Sequence, residues 1–169
     1  MDTLNTVIII SLAVFAIGSL SFIFIKKKNT QPIQSTESNS PATYQLKLQA
    51  YERLIVLANR IALPDLIARM NQPGLSAKEM QLLLTQTIKQ EFDHNITQQL
   101  YVSADAWSAI KNLKEQNMLI VNQCAGSLTA TATGSDLNKQ VLEFLMNDKK
   151  GNLHEIVSEV LSYEAKRVL

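Results

Sequence analysis

The sequence predicts an all-α protein in which an N-terminal transmembrane helix and a flexible tether precede a bundle of about five helices. Three observations favour this class. Residues 7–25 are apolar and uncharged, residues 29–43 are polar, and from residue 44 onward apolar residues recur at three- and four-residue steps. The expected domains are therefore an anchor with its basic flank over 1–28, a disordered linker over 29–43 and a helical domain over 44–169.

The N-terminal segment has the length and composition of a membrane span. As a helix, the run from Val7 to Ile25 covers about 28 Å, close to the ~30 Å thickness of bilayer hydrocarbon. Lys26, Lys27 and Lys28 follow it, whereas a secretory signal peptide carries its positive charge before the apolar run. The positive-inside rule places the rest of the chain in the cytoplasm. We therefore expect a single-pass protein with the lipid bilayer as one partner.

The segment after the anchor reads as a tether. The string NTQPIQSTESNSPAT, residues 29–43, nearly lacks large apolar side chains, so it buries too little surface to offset the entropy of ordering. A flexible chain of this length reaches roughly 20–25 Å. The helical domain is therefore expected to lie close to the membrane surface.

Charge in the helical domain argues against a nucleic-acid partner. The first 43 residues hold three of the 16 basic and two of the 15 acidic residues, so the charges from residue 44 onward balance. Phosphate binding draws most of its affinity from concentrated Lys and Arg. A neutral domain without a basic cluster is not typical of a nucleic-acid-binding protein.

The first helices are predicted by their apolar spacing and by their start signals. A helix over 44–63 has one apolar face, with Pro64 opening a short second helix that the turn at Pro73 and Gly74 closes. Ser76 and Glu79 have capping-box spacing and begin a long helix. Its apolar row repeats every four residues. The predicted inner residues of these helices are Leu48, Tyr51, Ile55, Ala58, Ile61, Leu84, Ile88, Phe92, Ile96 and Leu100.

The second half of the domain is expected to contain three more helical segments. Ser103 is a candidate cap for one of them, and whether the chain bends at 102–103 stays open. Residues 126–135, GSLTATATGS, alternate like a strand but have no convincing partner strand, so we expect a mobile loop. A helix over 136–148 and a last helix capped at Asn152 follow. Their predicted inner residues are Leu137, Val141, Leu142, Phe144, Leu145, Leu153, Ile156, Val157, Val160 and Leu161.

The strings YERLIVLANRI (51–61) and EFDHNITQQLYVS (91–103), together with the single N-terminal span, give the chain a resemblance to known sequences. It resembles a family of small uncharacterised membrane-anchored proteins of Bacteroidota, a domain of unknown function. The resemblance implies a Gram-negative inner membrane and the predicted architecture. It implies no activity, so no functional residue is carried over.

One stretch raises the question of a metal site. Glu91 and His94 have the E-x-x-H spacing by which di-iron bundles direct two ligands to one point. A second such pair is missing, because the other histidine, His154, follows Gly151 at that spacing. A closed zinc site is also short of ligands. Rotation of about 100° and 200° from Phe92 places Glu91 and His94 at the surface or at a helix interface, so we predict neither metal nor cofactor.

Nucleophilic chemistry finds little support in the sequence. Cys124 lies among apolar residues, as an inert core cysteine does, and neither a nucleophile elbow nor a phosphate-binding glycine loop is present. Trp107 and Tyr101 are most simply core or boundary aromatics, although both suit a contact with a protein partner.

Two hypotheses of function remain. The first is a membrane-tethered cytoplasmic helical module, not an enzyme, which binds another protein or its own copies. The alternative is a metal- or substrate-binding enzyme centred on Glu91, Asp93 and His94.

Overall fold

The structure, a computed structural model, describes residues 41–147 and 153–168. This part of the chain forms six α-helices and one 3-10 helix, with the 3-10 helix between the third and fourth α-helices. The α-helices are α1 (Pro41–Ile61), α2 (Leu63–Met70), α3 (Ala77–His94), α4 (Ala104–Ser127), α5 (Gly134–Asn147) and α6 (Leu153–Val168), and the 3-10 helix is Ile96–Leu100. The all-α prediction is confirmed for these residues, with six α-helices in place of about five.

The predicted membrane span over 7–25 and the tether up to residue 40 lie outside the described residues. The last three residues of the predicted linker, 41–43, are helical and begin α1, so the helical domain starts earlier than the sequence indicated. Within the described ranges, every helix is too short or too polar to cross a bilayer.

The short helix α2 begins at the predicted proline. Pro64 lies in the first turn of α2, where its missing N–H is not needed, and Gly74 adopts a positive φ of 87° in the turn that follows. The residue before the helix is Ala62, whose side chain caps nothing. The first residue of the helix, Leu63, is buried in the core. Packing therefore fixes the start of α2 without a polar cap.

The starts of α3 and α5 lie side by side. The capping box is present at Ser76: its Oγ accepts from the backbone N–H of Glu79, and the Glu79 carboxylate accepts from the N–H of Ser76. Two further backbone bonds join this segment to the loop before α5, from Ala77 N–H to the Ala132 carbonyl at 2.9 Å and from Gly134 N–H to the Leu75 carbonyl at 2.7 Å.

The predicted loop over residues 126–135 is shorter in the structure, where it covers residues 128–133. Helix α4 continues to Ser127, and α5 already begins at Gly134. Thr133 forms an isolated antiparallel bridge with Ser76. Within the described residues, this bridge is the extent of strand-like pairing in the alternating segment. A Cβ on Gly134 would lie 3.1 Å from the Met80 Cβ, and this close approach explains the glycine.

The core contains residues from all six α-helices. The predicted row on α3 is buried through Phe92 and then ends. Ile96 and Leu100 are exposed, because α3 stops at His94 and the 3-10 helix, with three residues per turn, no longer keeps a four-residue row on one side. Three further inward assignments were wrong: Leu142 on α5 and Ile156 and Val160 on α6 are exposed.

A polar cluster joins α1, α6 and the start of α4. The Tyr51 hydroxyl donates to Glu164 Oε2 at 2.8 Å, and the Ser103 hydroxyl donates to the same oxygen at 2.5 Å. Ser103 Oγ in turn accepts from the N–H of Ala106, which is the predicted cap of α4. Burial and the contact with Glu164 raise the pKa of Tyr51 more than its hydrogen bonds with Ser103 lower it, so Tyr51 remains a neutral donor.

Candidate functional site

Glu91, the first residue of the predicted metal pair, is held by an arginine from α1. Arg60 Nε donates to Glu91 Oε2 at 2.8 Å, and Arg60 Nη2 lies 2.5 Å from Glu91 Oε1. The two parallel contacts form the bidentate arrangement that suits guanidinium and carboxylate. The Glu91 side chain is 16% exposed, whereas that of Arg60 is 51% exposed. Glu91 therefore lies at the interface of α1 and α3, as its rotation from Phe92 indicates.

This ion pair fixes the protonation state of Glu91. The hydrogen bonds from Arg60 lower the pKa of Glu91 more than its partial burial raises it, and the nearby charges of Arg60, Arg69 and His94 lower it further. The carboxyl group is therefore ionised at neutral pH. A general acid needs a raised pKa, so Glu91 is poorly suited to donate a proton.

His94 and Asp93 are both exposed at the end of α3. His94 lines the same cleft as Glu91 and Arg60, about 510 Å³ in volume, between α1 and α3. Asp93 is not among the lining residues. Across residues 41–147 and 153–168, no three His, Cys, Asp or Glu side chains come together closely enough to hold a metal ion. The structure thus brings together two of the three predicted residues, and one of these two is bound by Arg60.

The aromatic residues at this end of the bundle differ in burial. Trp107 is half-buried and packs against Phe92, with ring centroids 5.1 Å apart. Lys114 Nζ lies 4.6 Å from the centroid of the Phe92 ring. Tyr101 is exposed just after the 3-10 helix, next to the exposed Leu100. Of the two predicted partner contacts, Tyr101 is the more accessible.

Cys124 is buried in the core, and burial raises the pKa of its thiol. A neutral, enclosed thiol is a poor nucleophile, because the thiolate is the reactive form. This environment fits the core assignment.

A second cleft lies between α2 and α5, and the sequence analysis missed it. We call it the α2–α5 groove; it has a volume of about 370 Å³. Met146, 86% exposed, and Leu142 supply apolar side chains from α5. Asn138 is buried in the groove wall, where its Nδ2 donates to Asn71 Oδ1 at 3.2 Å. Among the residues that the structure describes, its Oδ1 has no hydrogen-bond partner.

The unpaired Asn138 oxygen is the chemical feature of this groove. A buried polar atom without a partner is rare in folded proteins, because desolvation is then uncompensated. The groove therefore offers an apolar contact, and the Asn138 oxygen in its wall is enclosed, so a ligand reaches this acceptor only after the amide turns toward the groove. In the sequence, the only signal was an asparagine one position from the apolar Leu137, which does not distinguish a core amide from a cap.

Comparison with known proteins gives a family but no activity. No curated protein matches the chain, and no solved structure matches it either. Residues 1–168 match the family of unknown function DUF7935. Because the match covers nearly the whole chain, the chain belongs to the DUF7935 family of unknown function.

Proposed function

We propose that this protein is a membrane-tethered cytoplasmic interaction or assembly module. In this proposal, residues 7–25 span a bacterial inner membrane, the following segment acts as a tether, and the helical domain binds another protein or its own copies. The uncharged run, the three lysines after it and the resemblance to membrane-anchored proteins of Bacteroidota support the location.

The observation that carries the interaction function is the α2–α5 groove. Met146 and Leu142 expose apolar surface, and Asn138 Oδ1 beside them lacks a partner within residues 41–147 and 153–168. We propose that the groove binds a segment of another protein that inserts an apolar side chain and donates a hydrogen bond to Asn138, whose enclosed amide turns toward the groove on binding. Binding would then desolvate the apolar pair and satisfy the buried acceptor together.

Tyr101 and Trp107 supply a separate candidate contact. Tyr101 and Leu100 are exposed, and the packing of Trp107 on Phe92 fixes the local surface. Exposed aromatic residues on a rigid support are typical of binding hot spots. We propose that this surface extends the area of contact with the same class of partner.

Photocrosslinking in cells tests the groove. A photoreactive amino acid replaces Met146 in one variant and the exposed Gln86 of α3 in a matched control. We expect a discrete crosslinked protein with the Met146 probe, absent with the Gln86 probe. Asn138→Leu should reduce that crosslink several-fold, because it removes the acceptor. Identical crosslinks at both positions, or a crosslink unaffected by Asn138→Leu, would exclude specific recognition at the groove.

The membrane proposal needs its own experiments. The full chain should remain in the membrane fraction after alkaline carbonate extraction, and removal of residues 1–28 should release it. A reporter that is active only in the periplasm should stay inactive when fused after residue 169. Release of the intact chain by carbonate would exclude the span, and an active reporter would reverse the topology.

A further inference from the structure

Helix α6 presents a second apolar face, away from the core. Seven of its residues are exposed, and at 100° per residue they occupy one arc of about 140°. Ile156, Val160 and Tyr163 lie together on one side of this arc, between about 80° and 140° from Glu155, with Tyr163 65% exposed. The inner face of the helix is separate and packs Val157, Leu161 and Ala165 into the core. We call the outer set the α6 face: Glu155, Ile156, Glu159, Val160, Tyr163, Lys166 and Arg167.

Charge is segregated along the α6 face. Glu155 and Glu159 lie toward its N-terminal end, and Lys166 and Arg167 lie at its C-terminal end. In the described part of the chain, none of the four forms an ion pair, and Arg167 only stacks 6.0 Å from the Tyr163 ring centroid.

The helix dipole explains only part of this pattern. It favours Glu155 in the first turn and the two basic residues in the last turn. Glu159 stands beyond the first turn, four residues after Glu155, where two like charges repel each other. The isolated helix therefore gains nothing from Glu159 at this position, whereas an opposing positive charge would stabilise it.

We propose that the α6 face binds a second copy of itself, antiparallel, across a two-fold axis near the level of Leu161 and Ser162. At 1.5 Å per residue, Lys166 of the second copy then lies between the levels of Glu155 and Glu159 and on the same side of the contact line. Arg167 of the second copy lies level with Glu155 on the opposite side of that line. The apolar residues of both copies meet at the axis, so one surface supplies both halves of a closed interface. This inference rests on the proposed interaction function and names the partner of one surface.

The small area of the α6 face limits the affinity of self-association. A helix of 16 residues is about 24 Å long, and a strip ~10 Å wide buries roughly 500 Å² over both copies. Stable interfaces bury about 1,200 Å² or more. Self-association is therefore weak in dilute solution and depends on protein concentration. Confinement of copies to one membrane would raise their effective concentration.

Chemical crosslinking of the full-length chain tests this contact. With Cys124→Ala as background, Val160→Cys is compared with Gln90→Cys, an exposed position on α3, using a short bis-maleimide over a concentration series. We expect several-fold more crosslinked dimer with Val160→Cys. Equal yields at the two positions would overturn the proposal. Shielding of Val160→Cys from a soluble maleimide without dimer formation would also overturn it, because another occupant would then cover the face.

Charge reversal tests the antiparallel geometry. Glu155→Lys with Glu159→Lys, or Lys166→Glu with Arg167→Glu, should each lower the Val160→Cys yield several-fold, because like charges then meet. The quadruple reversal, and an equal mixture of the two double variants, should restore it. Helix content and the melting temperature show whether each variant folds. Loss without restoration in folded variants contradicts the antiparallel arrangement. Monomers throughout would overturn the dimer, whereas the Met146 crosslink would still report on the groove.

Discussion

The last turns of α3 have two sides that differ in what holds them. On the inner side, Phe92 is buried, stacks against Trp107 and lies under the ammonium group of Lys114. On the outer side, Glu91 pairs with Arg60, and His94 is exposed beside them in an open cleft. The last turns of α3 thus contribute one side to the hydrophobic core and the other side to a polar surface.

This difference indicates that a stretch rich in polar residues need not be where stability is concentrated. Burial of apolar area carries most of the free energy of folding, whereas an ion pair with a half-exposed arginine contributes little because water screens it. The polar residues of the predicted metal motif are therefore expected to be those whose substitution lowers the free energy of unfolding least. Four substitutions test that order.

The largest effect is expected from Phe92→Ala. Removal of the ring leaves a cavity and loses the contact with Trp107, so the free energy of unfolding should fall by about 3–5 kcal/mol. Urea denaturation measures the change, with Gln90→Ala on the exposed side as control, expected to change stability by less than about 0.5 kcal/mol. Similar values for the two variants would mean that the inner side is not the stable side.

Asn117→Ala should have the next largest effect. It tests whether the burial of a side chain or its polarity determines how much stability its loss costs. Asn117 on α4 is buried, and its Nδ2 donates to the carbonyl of Ile61 at 2.7 Å, at the end of α1. The alanine variant leaves that carbonyl without its donor, which should lower stability by about 1–3 kcal/mol. Asn112→Ala, exposed on the same helix, is the matched control. If Asn117→Ala is no worse than this control, a water molecule replaces the amide.

The sequence predicted the helices well because their signals are local. Helix starts at Pro64, Ser76 and Ser103 follow from a missing N–H or a side-chain cap within three residues, and the structure has all three. Register within a helix also follows from period, which is why Leu84, Ile88 and Phe92 were placed correctly. The prediction of buried positions on α3 fails where the helix ends. The backbone leaves helical geometry at Asn95, and the apolar pattern contains no signal for this change.

The remaining features depend on distant parts of the chain. Arg60 and Glu91 are 31 residues apart, and the bridge between Ser76 and Thr133 joins two loops, so neither pairing has a local signal. On α6, apolar residues lie on two faces, and sequence alone assigned Ile156 and Val160 to the core together with Leu161. Only the packing of α6 on the other described helices shows which of its two faces is exposed.

Glu91→Gln is expected to have a smaller effect, and this effect should depend on pH. Because water screens the half-exposed Arg60, loss of the ion pair should lower stability at pH 7 by about 0.5–1 kcal/mol. The pKa of Glu91 in the folded state lies below its ordinary value of 4.5, so its contribution is complete above that value. The contribution disappears as the pH falls through the lowered pKa.

Urea denaturation of wild type and Glu91→Gln at a series of pH values between 7 and the acid limit of folding measures this difference. The two curves should be parallel at neutral pH and converge in acid. Gln90→Ala, at an exposed position on α3, removes no charge and serves as control: its difference from wild type should not change with pH. A constant difference between wild type and Glu91→Gln at all pH values would mean that packing, and not charge, accounts for the effect.

The smallest effect is expected from His94→Ala. Within the described residues the His94 side chain has no hydrogen bond or ion pair, and its partner in the predicted metal motif is bound by Arg60 instead. The substitution should therefore change stability by less than about 0.5 kcal/mol, as at most exposed positions. Elemental analysis of the purified full-length chain, wild type and His94→Ala, tests the alternative. A metal ligand contributes binding energy to folding, so stoichiometric zinc or iron that is lost together with stability in His94→Ala would restore the hypothesis of an enzyme centred on Glu91, Asp93 and His94.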